Sequence, residues 1–558
     1  MEIPNTSKPK TFYLGLCLAG AVSAGAYTAG AMDYLLEALE DWQMRKSRGD
    51  VNVPKHDVVI PVIGGASAGG MTGAIMASAM HDPIPPVKLA PDPLLAQVPS
   101  NKFYHSWVDL VADDMIKVML DTSDLNQQNM QSLLNTDFID QIAARALTVS
   151  AGAAVKREYL DKQMKLFFTL SNLEGMDFDV AFRSNLPNYN RYIITSHKDY
   201  LNFRMAESAS DYKADGWIPL NFQKQLNADL AKQAAIATGA FPIIFRPRKI
   251  TRDGQYLNDL KWFDPITKAA DRPFDKGPYK TLNVDGGMIN NEPFEKVRRV
   301  LIDITGQKDP NQYQSYQSFN STVLMVDPFP SQPGKFTFDT KLTSVMGNTL
   351  TAIINQSRIK PETLIQAMDS ELAGQFLVAP IRYGQGTDEN YEGRYAIASG
   401  SMSGFGGFIN KEFRIHDYFL GRANCEKFLR DHFTVPQDTE NPIFKEGYSK
   451  IDKSVFISEK NNGLQIIPIF SRRKNEPYMP IFSNGQRWPS ATQKEISGYR
   501  NALKKRVESV LFNLADYSPT EKALLWVGAK ILLNGKVADS IIDNALSSLN
   551  EFGLLRHQ

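Results

Sequence analysis

The sequence predicts an α/β fold in which a mainly parallel sheet carries helices on its faces. Three observations predict it. The first is the opening: an apolar run at residues 12–18, a loop of small residues, then helical apolar spacing at Ala26, Ala29, Met32, Leu35, Leu36 and Leu39. The second is a repeat of that order: an apolar run at 58–63, a glycine-rich turn, and a small-residue helix over 71–80. Parallel neighbours need a crossover between them, and a helix is the usual one. The third is the series of short apolar runs further on, at 191–195, 280–284 and 321–326, with a small-residue helix at 232–239 among them.

The elements follow in order. Lys8 and Lys10 precede a stretch over 11–32 that has no charged residue and is rich in alanine and glycine. It mimics a secretory leader or a membrane span. Its continuation into an amphipathic helix points instead to a buried strand and a core helix, and to a cytoplasmic protein with peripheral membrane contact left open. Residues 81–99 are proline-rich, as expected of a loop or the neck of an insertion. Helical patterns at 107–120 and 138–147 make an inserted cap-like segment of about 81–150, which either covers a site or simply packs. The first domain is expected over 11–330. Residues 331–558 read as a mostly helical region with an edge strand near 464–470, where Pro468 cannot donate to a ladder. Ser490 to Gln493 and Ser518 to Glu521 have the spacing of capping boxes. Residues 524–533 are apolar but too few to span a bilayer, and include Lys530.

The chain of 558 residues is 43% hydrophobic and 22% charged, an ordinary globular composition. A net charge of +1 gives no electrostatic case for a nucleic-acid partner. Two cysteines, Cys17 and Cys425, make no disulfide framework and no metal-site spacing. No cofactor is expected, and the pattern is silent on oligomeric state.

The chemistry concentrates in three places. Gly65-Ala66-Ser67-Ala68-Gly69 puts a serine at a strand-to-helix turn whose small neighbours permit a sharp bend. A hydroxyl so displayed needs a base and donors for an oxyanion. Asp285, at a strand end before Gly286 and Gly287, is the candidate base. Gly20, Ala21, Val22, Ser23, Ala24 and Gly25 form a loop whose backbone N–H groups are candidate donors, each such donor contributing about 3 kcal/mol to a transition state.

That ordered set resembles the patatin-like phospholipases: a glycine-rich oxyanion loop, then Gly-x-Ser-x-Gly, then Asp-Gly-Gly. Ala237-Thr238-Gly239-Ala240-Phe241-Pro242, followed by Phe245 and Pro247, is similar to the family's segment before the aspartate, and Asn291 and Pro293 match residues after it. The resemblance covers about 11–330. It implies a three-layer α/β/α sandwich, Ser67 as nucleophile, Asp285 as general base of a Ser-Asp dyad, and hydrolysis of acyl esters in lipids through an acyl-enzyme. A carboxylate with an ordinary pKa of about 4 is a weak base at neutral pH, so the dyad calls for a dry site. The 20–25 loop departs from the family pattern: Ala21 and Val22 stand where glycines are usual and Ala24 where a cation is usual.

Three other readings stay open on the residues. The order Ser67, Asp285, His416 also fits the triad of an α/β-hydrolase. Gly20-x-x-x-x-Gly25 has the spacing of a phosphate loop but lacks its lysine. The altered loop also suits a weak or inactive, lipid-binding scaffold on the same fold. His416, Asp417 and Arg422 fall in a polar C-terminal block, in which Arg422 and Asp417 are expected to pair structurally.

Overall fold

A computed structural model describes residues 11–90, 100–125, 130–149, 155–181, 191–260, 274, 277–306, 315–330, 338–341, 344–345, 348–349, 352, 375–383, 390–471, 477–514 and 535–556. The expected capping box at Ser518 and the apolar run at 524–533 lie outside the described residues.

The opening is as the pattern predicts. Strand β1 (Thr11–Leu18) leads through a loop and one turn of 3-10 helix (Val22–Ala24) into helix α1 (Gly25–Arg48). Strand β2 (Asp57–Gly65) then turns into helix α2 (Ser67–Ser78). Helix α3 (Met115–Leu120) and helix α4 (Asp137–Leu147) belong to the inserted segment. The continuous helix expected over 107–120 is broken. A π-helical turn at His105–Asp109 stops at Leu110, which has φ +52°, and α3 restarts after Asp114, whose carboxylate accepts from the Lys117 N–H.

Strands β3 (Leu160–Ala181) and β4 (Arg191–Met205) form a long antiparallel pair, and β5 (Ile218–Leu220) follows. Helix α5 (Ala228–Thr238), β6 (Arg248–Asp253), β7 (Pro278–Asp285), helix α6 (Phe294–Thr305) and β8 (Ser321–Val326) complete the run to residue 330. The sheet crosses that boundary: β9 (Gln375–Val378) pairs parallel with β8. The strand order is β5-β4-β3-β2-β1-β8-β9, with β7 on β3 and β6 on β7. Pairing is parallel from β3 across to β9 and between β4 and β5, and antiparallel for β3 with β4 and with β7.

Both sheet faces are covered, giving three layers. Leu16, Leu18 and Ile63 face a core shared with α1 and α2, whereas Cys17, Val62 and Val323 pack beneath Val297, Val300 and Leu301 of α6. Helix α7 (Lys411–Asp431) lies on α1 from outside. The two backbones nearly touch: a Cβ on Gly30 would meet the Tyr418 carbonyl oxygen at 1.9 Å, and one on Gly421 the Tyr27 oxygen at 2.1 Å. Arg422 on α7 forms ion pairs with Asp33 and Glu37 of α1. The expected partner, Asp417, instead holds His416 and the N–H groups of Ala398 and Ser399. Helices α8 (Arg500–Asn513) and α9 (Lys536–Glu551) follow. Near them the capping box sits two residues later than predicted, at Thr492 and Glu495. The edge strand expected over 464–470 is reduced to Leu464–Gln465, paired with Thr434–Val435. Among the described residues no helix is long and apolar enough to cross a membrane.

Candidate active site

The register of β3 explains why two residues 218 apart in sequence meet. Strand β2 runs parallel to β3 and ends with Gly65 opposite Phe168. Strand β7 runs antiparallel to β3 and ends with Asp285 opposite Leu170, two residues further on. Strand β4 occupies the other edge of β3, so β2 and β7 share one edge and point their C-terminal ends at each other. Ser67, just past the end of β2, therefore faces the last residue of β7.

The serine turn is tight. Ser67 has φ +50°, after an extended Ala66. A Cβ on Gly65 would lie 2.6 Å from the Gly70 nitrogen, and one on Gly69 only 2.2 Å from the Leu18 oxygen, so the turn demands glycine at both places. Ala66 and Ala68 are buried beside them. The Ser67 N–H donates to Thr238 Oγ1 at 2.9 Å, and that hydroxyl donates to the Thr169 carbonyl at 2.7 Å. A chain from β3 through α5 thus holds a residue whose conformation is uncommon for a non-glycine.

Ser67 Oγ donates to Asp285 Oδ2 at 2.6 Å, in a place where the two residues are 7% and 4% exposed. Asp285 is fixed on every side. Its Oδ1 accepts the Gly287 N–H at 2.7 Å, its own N–H donates to the Ala240 carbonyl, and its carbonyl accepts from Ser171 Oγ. Gly286 is needed because a Cβ there would meet the Thr169 oxygen at 2.0 Å.

The 20–25 loop lies against this pair. A Cβ on Gly20 would fall 2.8 Å from that of Ser67 and 2.5 Å from Asn291 Oδ1, so only glycine lets the loop approach. Val22 has φ +49°, Ala21, Ser23 and Ala24 are buried, and Gly25 leaves room for the Trp107 ring. Val22, Ser67 and Ala68 line one cavity of about 90 Å³, walled by apolar side chains of α2, the inserted segment and Phe408. A larger cleft of about 760 Å³, between α1 and residues 468–471, contains neither Ser67 nor Asp285.

His416 does not join them. It is fully buried on α7, its Nδ1 bonded to Asp417 at 2.8 Å and its Nε2 without a hydrogen-bond partner among the described residues, edge-on to Trp488. Burial pushes its imidazole below the usual range. Among the described residues no group of three His, Cys, Asp or Glu side chains is placed to hold a metal.

A family profile described as Patatin-like phospholipase matches residues 16–298. The chain belongs to this family. Its membership supports lipid acyl hydrolase activity in general and implies lipid substrates. Uncharacterized protein y4iI of Sinorhizobium fredii (strain NBRC 101917 / NGR234) is 30% identical over 580 residues, covering 94% of this chain and 79% of its own length. Among solved structures, VipD from Legionella pneumophila is similar at 10% identity and a TM-score of 0.26, over 75% of this chain and 66% of that one. The three segments at 20–25, 65–69 and 285–287 all fall inside the profile match and stand together in space. Thr238 and Phe408 are among the site residues that motif reading misses. Thr238 lies within a quoted segment but without an assigned role, and no sequence signal ties Phe408 to Ser67.

Proposed function

We propose that the protein hydrolyses a carboxylic ester of a lipid, with Ser67 as nucleophile and Asp285 as general base. The observation that carries this is the 2.6 Å hydrogen bond between them at the wall of an apolar cavity. Ser67 Oγ attacks the ester carbonyl carbon while its proton passes to Asp285 Oδ2. The carbonyl oxygen becomes an oxyanion, met by backbone N–H groups of the 20–25 loop and of Ala68. The start of α2 adds its positive dipole end. On collapse the C–O bond to the alcohol breaks, and the alcohol leaves with the proton from Asp285. A water then repeats the sequence on the acyl-enzyme, giving the fatty acid and free Ser67. The Gly287 N–H on the other carboxylate oxygen keeps Oδ2 turned toward the serine.

The experiment is turnover of p-nitrophenyl butyrate and of phosphatidylcholine vesicles, with fluorophosphonate labelling in parallel. Ser67→Ala and Asp285→Asn are each expected to lose at least about a thousandfold in kcat, and Ser67→Ala to lose the label. His416→Gln, which removes the third member of the rival triad, is expected to retain turnover. Well-folded wild type that neither turns over nor labels would instead favour the lipid-binding scaffold, and a His416→Gln protein that is folded but inactive would favour the triad.

A further inference from the structure

The 20–25 loop has a second attachment, far along the chain. Ser23 is 2% exposed and its hydroxyl is used twice: it donates to the Gly404 carbonyl at 2.5 Å and accepts the Gly407 N–H at 3.0 Å. The segment it meets is itself in an unusual conformation. Met402, Ser403 and Gly404 have φ +51°, +55° and +97°. Three groups outside the segment hold it there. The Asp417 carboxylate accepts the N–H groups of Ala398 and Ser399, both at 2.8 Å. Ser548 Oγ on α9 accepts the Met402 N–H at 2.8 Å. The buried Arg414 guanidinium donates to the Gly407 carbonyl and to that of Val108 in the inserted segment, each at 2.7 Å. Phe408, one residue beyond the Ser23 contact, lines the cavity with Val22 and Ser67.

Val22 is the residue this attachment constrains. A β-branched side chain at φ +49° is disfavoured and persists only where the surroundings over-determine it. Its immediate neighbour is Ser23, and Gly404 packs beside it, where a Cβ at 404 would be in ordinary van der Waals contact, 3.4 Å, with that of Val22. We infer that Ser23 is a positioning residue: through Gly404 and Gly407 it holds Val22 in the left-handed conformation that aims the loop N–H groups at the oxyanion. The C-terminal region is then part of the catalytic machinery, supplying the rigidity that this loop's alanines and valine require. This rests on the hydrolase reading above and concerns how that site is held.

The test is kcat and KM on p-nitrophenyl butyrate for wild type, Ser23→Ala, Val22→Gly and the double variant, each at a temperature where circular dichroism shows it folded. Ser23→Ala is expected to lose about tenfold to a hundredfold in kcat, with KM changed less than about threefold, because the donors act on the transition state. Glycine adopts positive φ freely, so Val22→Gly in the Ser23→Ala background is expected to recover much of that kcat. If Ser23→Ala does not fold, Ser23→Cys, a weaker donor and acceptor, is read in its place against the same rescue. Unchanged kcat in the Ser23 variant, a loss confined to KM, or a kcat loss that Val22→Gly leaves unrepaired would overturn the inference. Wild type without Ser67-dependent turnover would remove the hydrolase reading first, a distinct result.

Discussion

Thr238 shows how much of the Ser67 geometry depends on a side chain that does not line the cavity. Its hydroxyl accepts the Ser67 N–H and donates to the Thr169 carbonyl, so one side chain satisfies two buried backbone groups and sets the turn. Thr238→Val keeps the shape and removes both bonds. It is expected to cost about 1–3 kcal/mol of stability and about tenfold in kcat, whereas Thr238→Ser keeps both; urea melts and turnover of the two variants check this. The residues of the site that were legible in sequence, Ser67 and Asp285, sit in glycine patterns forced by close backbone approach, and such patterns are local. The partners that complete it are not local. Thr238 is 171 residues from Ser67, and Gly407 is 384 from Ser23. The expected pair Arg422–Asp417 fails for a reason that was available beforehand. Residues five apart on a helix point about 140° away from each other. Arg422 accordingly turns to α1, and Asp417 to the 398–399 backbone.

At the scale of elements, the inserted segment sets the shape of the cavity. Helix α4 is amphipathic: Phe138 and Ile142 line the cavity, while Asp140 meets Arg246 and Arg248 on the other side of the helix. Burial opposes ionisation of Asp140, but the two guanidinium groups outweigh it and hold the carboxyl below its ordinary range. The wall is therefore anchored, and trimming it should change volume rather than position. Ile142→Ala is expected to move the preferred acyl length of a p-nitrophenyl ester series upward by about two carbons, since the pocket gains room for about that many methylenes. An unshifted optimum would place the acyl chain elsewhere. The opening strand–helix–strand–helix was legible because its apolar periods are clean and its turns are punctuated by glycine. The long β3–β4 pair was seen only at residues 191–195. Strand β3 is paired along both edges and mixes buried runs with exposed stretches, so it offers no clean alternation. The capping box slipped by two because Ser490 to Gln493 and Thr492 to Glu495 both satisfy the same spacing, and only the geometry selects the second.

The whole molecule is closed by its C-terminal half, which adds β9 to the sheet, α7 to the outer face of α1, and a cluster around His56 at the start of β2. That imidazole is 1% exposed, packed among Trp42, Phe444 and Tyr448, with Nε2 bonded to the Ile466 carbonyl at 2.9 Å and Nδ1 without a partner among the described residues. Burial pushes its pKa down to about 3, although the Ile466 bond works the other way. The fold thus contains a neutral histidine. In the unfolded chain the same group titrates at about 6.5, so above that pH neither state is charged and nothing is lost. As pH falls through about 6.5 the unfolded state takes up a proton that the folded state refuses, and stability declines until about pH 3. Between pH 7 and pH 5 this one group is expected to cost about 2 kcal/mol. His416 is shifted in the same direction and adds its own loss, so the comparison must be made by difference. His56→Gln keeps a donor for the Ile466 carbonyl and does not titrate. Its urea midpoint is therefore expected to fall less between pH 7 and pH 5 than that of wild type, by about 2 kcal/mol when expressed as stability. Equal falls in the two proteins would show that His56 is protonated in the fold, and that the seam between the halves admits the water that burial of Trp42, Phe444 and Tyr448 excludes.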